Sequence, residues 1–290
     1  MFSPAPSSPL GPRNCPAGTK QHPRRKGITA IGNFTPQSFV ALLSIRNLRG
    51  RICAADMPSH NNATRLPAFL FDVDGTLIDS VYEHVDAWAK ALKGLGIFLP
   101  NWKVHRRIGM SGESFVHELL RETRRPRLRP GELERLEQRH AAEFSKRIPS
   151  LKPLPGAREL LKYLSTTKVR WAIATTGNAK QTMRLLKPLQ IPKNIPVVTG
   201  DDVDHTKPSP DAFVLAAERL GVAMEDSIVV GDSVWDLLAA VRKRALGVGL
   251  LSGGSGREEL NGAGAFRVYG DPADLLVHLE QLGVPGPRNG

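Results

Sequence analysis

Two carboxylates, Asp72 and Asp74, stand at the end of a short apolar run, residues 68–73, with Gly75 directly behind them. Residues i and i+2 of a strand point to one face, so the pair converges on a small volume where the strand leaves its sheet. Like charges held that close repel and raise one another's proton affinity. A divalent cation resolves the repulsion; so does a division of labour, in which one carboxylate stays ionised as nucleophile and the other carries a proton as general acid. A turn in which Asp74-Gly75 merely closes a loop is the competing reading of these residues alone. The run itself is aromatic and aliphatic and lies between Pro67 and Gly75, the marks of a buried central strand. Open α/β sheets bind their ligands just beyond the carboxyl ends of such strands.

The longer stretch Asp72-Val-Asp74-Gly-Thr-Leu77 resembles the first motif of the haloacid dehalogenase superfamily, in its phosphatase and phosphomutase branch. Three more stretches resemble the later motifs in the right order: Thr175-Thr176-Gly177, then Lys207 in Asp204-His-Thr-Lys-Pro-Ser-Pro210, then Gly231-Asp232-Ser-Val-Trp-Asp236. The resemblance covers residues 67–283. It implies an α/β fold, a doubly wound parallel-sheet core (Rossmann-like) with an inserted α-helical cap. It also implies site roles. Asp72 would attack phosphorus and become a phosphoaspartate, while Asp74 would protonate the leaving oxygen and then activate water. Thr175, with Thr176 and Gly177 beside it, would hold the phosphoryl group, and Lys207 would neutralise both that group and the nucleophile. Mg²⁺, a hard ion that favours oxygen ligands, would be held by the Asp72 carboxylate, the Asp74 carbonyl and Asp232, with Asp236 behind them. His84 is a candidate for lining the substrate site under the cap, against a hinge or surface position.

Halide leaves without a proton, so Asp74 argues for phosphoryl transfer over dehalogenation. The expected activity is hydrolysis of a small phosphomonoester, like that of phosphoglycolate phosphatase, which the stretch Arg106-Arg-Ile-Gly-Met110 also resembles. A β-phosphoglucomutase-like phosphomutase is the alternative: its hinge resembles the region of Ser80 and His84, but its cap arginine aligns with Gly112 and its acidic pair with Gly231-Asp232. A binding or regulatory member without turnover is a third reading, which the intact motifs oppose.

These groups need elements to hold them. Residues 78–148 read as helical, with breaks at Leu99-Pro100 and over 125–131; Val81, Val85, Trp88, Ala91, Leu92 and Leu95 follow helical spacing up to Gly96. Helices over 112–122 and 131–147 follow. So long a helical stretch between two strands exceeds a crossover and forms a separate bundle. From 154 onward helix and strand alternate, as in a doubly wound sheet. Strands are expected at 169–174, 196–199, 227–230 and 246–250, and helices at 155–164, 179–187, 209–221 (capped by Ser209 and ended by Gly221) and 233–244. Arg242, Lys243 and Arg244 would sit in the last turn of that last helix. Ser252-Gly-Gly-Ser-Gly256 reads as a flexible connection, since a nucleotide loop would follow the first strand. Arg121, Arg124, Arg125, Arg127 and Arg129 read as a solvated loop.

The composition, 41% hydrophobic and 23% charged over 290 residues, is that of a soluble globular protein. The net charge of +12 is unevenly spread: residues 1–60 carry eight Lys and Arg against Asp56 alone, which leaves +5 for the other 230 residues. The folded part therefore gives no argument for nucleic-acid binding. The charge-free stretch 27–45 holds Asn33, Pro36 and Gln37 and is too polar to span a membrane. Both cysteines, Cys15 and Cys53, lie in the head, so the catalytic part has no disulfide, which fits a reducing, cytoplasmic location. The head is expected to be a disordered basic extension. A secretory signal, an organelle transit peptide and a nucleic-acid arm compete with that reading, and Met57 as the physiological start is preferred. The expected organisation is a head over 1–60, a core over 61–79 and 151–284, and a cap over 80–150. The partner is a small phosphorylated metabolite, and the chain acts as monomer or homodimer.

Overall fold

The computed structural model describes residues 66–110, 112–123 and 128–287. Expectations for the head, including its disorder, its targeting alternatives and a start at Met57, fall outside these residues, as do Arg124, Arg125 and Arg127.

In chain order the elements are β1 (Ala68–Phe71), α1 (Val81–Lys93), α2 (Asn101–His105), α3 (Gly112–Glu122), α4 (Glu132–Ser145), α5 (Ala157–Thr166), β2 (Trp171–Ala174) and α6 (Ala179–Leu186). Then come β3 (Val197–Val198), α7 (Asp211–Leu220), β4 (Ser227–Gly231), α8 (Val234–Arg242), β5 (Leu246–Leu250), α9 (Arg257–Gly262), β6 (Ala265–Tyr269) and α10 (Pro272–Val277). The strands form one parallel sheet in the order β3-β2-β1-β4-β5-β6. This is the doubly wound α/β core that the alternation of elements predicts. Because the chain winds outward from β1 in both directions, the crevice beyond the carboxyl ends of β1 and β4 is a topological switch point.

β1 is buried on both faces, and its residues divide between them as a two-residue period requires. Phe69 and Phe71 pack with Trp171, Leu160, Leu164 and Leu275 on one side; Leu70 packs with Phe213, Ala216 and Ala240 on the other. Phe71 meets Trp171 edge-on, at 6.4 Å between centroids and 80° between planes. Each large apolar side chain taken out of water here contributes on the order of 2 kcal/mol. The insertion between β1 and β2 has its own apolar cluster, in which Val85, Trp88 and Leu92 of α1 meet Phe115 and Leu119 of α3 and Leu136 of α4.

Several boundaries and one connection differ from expectation. β2 starts at Trp171 because Lys168 takes φ 58° and the Val169 amide bonds back to the Leu164 carbonyl, closing α5. Ser209 does not cap α7: its hydroxyl bonds the Asp211 side chain at 2.6 Å, and Pro210 stands at the cap position. α8 ends at Arg242, and Arg244 turns with φ 56° toward β5, so it lies beyond the last helical turn. α9, β6 and α10 were not expected: β6 exposes Phe266 and Arg267, and that exposure masks the alternation of a strand. The stretch 252–256 is no flexible connection. Leu251–Gly253 forms a 3-10 turn, the Ser252 hydroxyl donates to the Gly75 carbonyl at 2.6 Å, and Gly254 closes the turn with φ 90°.

Candidate active site

The turn after β1 fixes both carboxylates. The Asp72 amide bonds the Val230 carbonyl of β4, and the amides of Leu77 and Ile78 return to the Val73 carbonyl, folding residues 73–78 into a tight loop. Gly75 is needed there twice over. Its φ is +73°, and a Cβ would lie 2.5 Å from both Asp232 Oδ2 and Val81 Cγ2.

Lys207 is fully buried, with Nζ 2.5 Å from Asp72 Oδ1 and 2.8 Å from Asp236 Oδ1. Asp232 follows β4, and its Oδ1 accepts from Thr76 Oγ1 at 3.1 Å. Asp236 lies in the first turn of α8, where its Oδ2 accepts from the Ser233 amide and hydroxyl in a capping box, so both of its oxygens are engaged. Thr175 is buried after β2; its Oγ1 accepts from the Gly177 amide at 3.2 Å. Thr176 and Gly177 line the cavity that Asp72, Asp74 and Asp232 also face.

Asp72, Asp232 and Asp236 each offer an oxygen within 4.8 Å of the others. Three buried carboxylates face one ammonium, which leaves excess negative charge out of water. Burial pushes Asp72 up to about 7; Lys207 opposes this, while Asp236 and Asp74 add to it. Burial, then the Asp236 and Asp72 charges, raise Asp232 well above the carboxylate range. Burial would lower Lys207, but Asp236 and Asp72 outweigh it and hold the ammonium above its ordinary range. A hard divalent cation on oxygen ligands is the group this donor set fits, since it supplies the missing positive charge.

Asp74 is treated differently. Burial would raise it, but the His84 charge and hydrogen bonds from His84 and Ser80 outweigh burial and hold it below its ordinary value. Ser80 Oγ donates to Asp74 Oδ1 at 2.5 Å, and His84 Nε2 lies 3.1 Å from the same oxygen. Two carboxylates of one motif are thus shifted in opposite directions: with no cation or phosphoryl group beside them, Asp72 is the one held toward its protonated form and Asp74 the one held ionised.

The cavity above them measures about 450 Å³ and is roofed by Trp88, Met110, Gly112 and Phe115 of the helical insertion. His84 lines it and also reaches Asp74. Among the lining residues that escaped the sequence reading are His140 and Thr206. His140 of α4 lies 3.0 Å from His84; its signal was a histidine four residues before Phe144 on an apolar helix face. Thr206 Oγ1, buried beside Lys207, has no hydrogen-bond partner among the described residues and faces the same cavity. Its signal was its place next to the loop lysine.

Residues 66–242 match the family model described as haloacid dehalogenase-like hydrolase. Hexitol phosphatase A of Escherichia coli (strain K12) is 32% identical over 238 residues, covering 78% of this chain and 97% of that protein. Phosphoglycolate phosphatase of Shigella dysenteriae serotype 1 (strain Sd197) is 30% identical over 240 residues, covering 76% and 93%. The crystal structure of a hydrolase from Pseudomonas syringae superposes with a TM-score of 0.72 at 46% identity, covering 74% of this chain and 98% of that one.

Proposed function

This chain belongs to the haloacid dehalogenase-like hydrolases, and from that premise we propose that it is a Mg²⁺-dependent phosphatase that hydrolyses a small phosphomonoester through a phosphoaspartate on Asp72. The observation that carries the reading is the meeting of Asp72, Asp74, Lys207 and Asp232 beneath one cavity.

Asp72 attacks phosphorus in line with the leaving oxygen, and the ester P–O bond breaks as the Asp72–phosphorus bond forms. Asp74 gives its proton to the departing alkoxide. Ionised in the free site, Asp74 gains proton affinity when a phosphoryl group brings negative charge beside it. In the second half-reaction Asp74 takes a proton from water, and the oxygen of that water attacks phosphorus. Inorganic phosphate leaves and Asp72 is restored. The hydroxyls of Thr175 and Thr206 and the amides near Gly177 are donors for the phosphoryl oxygens, while Lys207 stabilises charge on that group and the nucleophile. The Asp72 carboxylate, the Asp74 carbonyl and Asp232 would hold Mg²⁺, with Asp236 orienting Lys207. When bound, the cation neutralises charge on the phosphoryl oxygens and keeps Asp72 ionised.

Hydrolysis is favoured over the mutase alternative because Gly112 lines the cavity at the position that aligns with the mutase's cap arginine, and so offers no side chain to a second phosphate. The named relatives suggest glycolate and hexitol phosphates as substrates, and a cytoplasmic site of action completes the reading. The test is phosphate release by purified protein from a panel of phosphorylated glycolate, hexitols, sugars and nucleotides, with Mg²⁺ and with excess chelator. Turnover is expected only with Mg²⁺, and Asp72→Asn is expected to abolish it with the fold intact. Full activity in chelator or in that variant would sink the mechanism; glucose-phosphate isomerisation faster than phosphate release would promote the mutase.

A further inference from the structure

A line of three groups runs from the helical insertion to Asp74. His140 Nε2 is 3.0 Å from His84 Nδ1, and His84 Nε2 is 3.1 Å from Asp74 Oδ1. The two imidazoles are clamped by rings. Phe144 stacks on His84 at 3.6 Å between centroids, and Trp88 stacks on His140 at 4.1 Å and 10°. His84 and Trp88 are one turn apart on α1, as are His140 and Phe144 on α4, so two i, i+4 pairs interleave where the helices pack. Neither ring can pivot without breaking this stack.

The hydrogens follow from the acceptors. The ionised Asp74 carboxylate faces His84 Nε2, so that nitrogen carries a hydrogen. In a neutral His84 ring Nδ1 is then a bare acceptor, and the Nε2–H of His140 completes it. In a charged ring Nδ1–H donates instead, to a bare His140 Nε2. Burial, then the His84 charge, hold His140 well below its usual range; Arg147 adds to this and Asp74 opposes it. An uncharged His140 serves either state of its neighbour. Without it His84 Nδ1 loses this partner, and the ring is held by hydrogen bonding at Nε2 alone.

We propose that His140 is a positioning residue for the reaction: through His84 it fixes the rotation of the Asp74 carboxylate, so that Oδ1 is held and the other oxygen exchanges the proton with the leaving group. Ser80 Oγ, bonded to the same Oδ1, completes the grip. This rests on the reading of Asp74 as the acid and base of a phosphatase.

The test compares His140→Phe, His140→Gln, His84→Ala and the double variant His84→Ala/His140→Phe. His140→Phe keeps the ring stack and removes both nitrogens. Its kcat is expected to fall about 10- to 100-fold at a nearly unchanged KM, the scale of a misplaced reacting group. Its melting temperature should stay near that of the parent. His140→Gln, which restores a donor, should recover part of the loss, and adding His140→Phe to His84→Ala should cost nothing further. Imidazole ¹⁵N spectra give a readout besides activity: the His84 Nε2 signal should keep its hydrogen toward Asp74 in both proteins, while the Nδ1 signal, paired with His140 in the parent, should move in His140→Phe. Parental kcat in His140→Phe, a loss confined to KM, multiplying effects in the double variant, or an unchanged His84 spectrum would each overturn the proposal. A parent protein without phosphatase turnover would instead refute the reading of the function, and the ¹⁵N spectra would then decide the His140 pairing alone.

Discussion

The role proposed for Asp72 combines two demands, since a nucleophile must be ionised and this carboxylate is buried among other acids. Without a cation its carboxyl is raised from 3.8 to about 7, burial being the largest cause. An acid with a raised folded value binds more protons in the fold than in the unfolded chain. Its contribution to stability is therefore complete below about pH 4 and is lost as pH rises through about 7. Asp74 and Asp202 are lowered, so their contributions are already present above pH 5. Half-buried His140, lowered by desolvation and the His84 charge, acts with the opposite sign below its ordinary value of 6.5. The comparison is therefore made with Asp72→Asn, which leaves His140 in place. In chelator, the melting temperature of the parent relative to Asp72→Asn should fall between about pH 5.5 and pH 7.5, and Mg²⁺ should restore it at the upper end. A constant difference between the two proteins across that range would show that Asp72 titrates normally.

At the scale of elements, the site depends on a turn that chemistry-bearing residues do not announce. A Cβ on Gly253 would lie 1.7 Å from Asp232 Oδ2, and the Gly253 carbonyl is 2.8 Å from His105 Nε2 in the helical insertion. Gly253→Ala must push Asp232 or the turn aside. Mg²⁺ should then bind at least about tenfold more weakly, the scale seen when support for a ligand is lost, while the melting temperature without cation changes little. Calorimetric titration with Mg²⁺ measures this, and parental affinity in the variant would show that the turn plays no part. The Asp72–Asp74 pair was legible because strand period and local spacing bring them together within one motif. Gly253 was not, because its contact with Asp232 depends on how β4 and β5 deliver two separate loops. His140 was hidden for a related reason: it reaches Asp74 only through the packing of α4 on α1. The strand ends carrying Thr175 and Asp232 could be read from apolar runs broken by polar residues, and Lys207 from the loop that precedes α7. The exact starts of β2 and α7 could not, because Lys168 and Pro210 set them by backbone geometry.

Over the whole molecule, the alternation of helix and strand after residue 154 is a strong enough pattern to give the doubly wound sheet; three of the four motifs follow the carboxyl ends of β1, β2 and β4, and the Lys207 loop reaches them from beyond the edge strand β3. β6 was missed because an exposed edge strand carries little apolar periodicity, and α9 and α10 because six residues are too few to show a helical repeat. No helix among the described residues is long and apolar enough to cross a membrane. The sheet brings the turn that carries Asp72 and Asp74 together with Lys207 and Asp232 from separate loops to one point, and α1, α3 and α4 line a cavity over it. The claim that most needs testing is that this point performs covalent phosphoryl transfer at Asp72. Rapid quenching during steady-state turnover, followed by borohydride reduction, converts an acyl phosphate to homoserine, and peptide mass spectrometry then locates it. Homoserine at position 72, present only with substrate and Mg²⁺, is the expected result. Full turnover with no homoserine, or with homoserine at position 74, would contradict it.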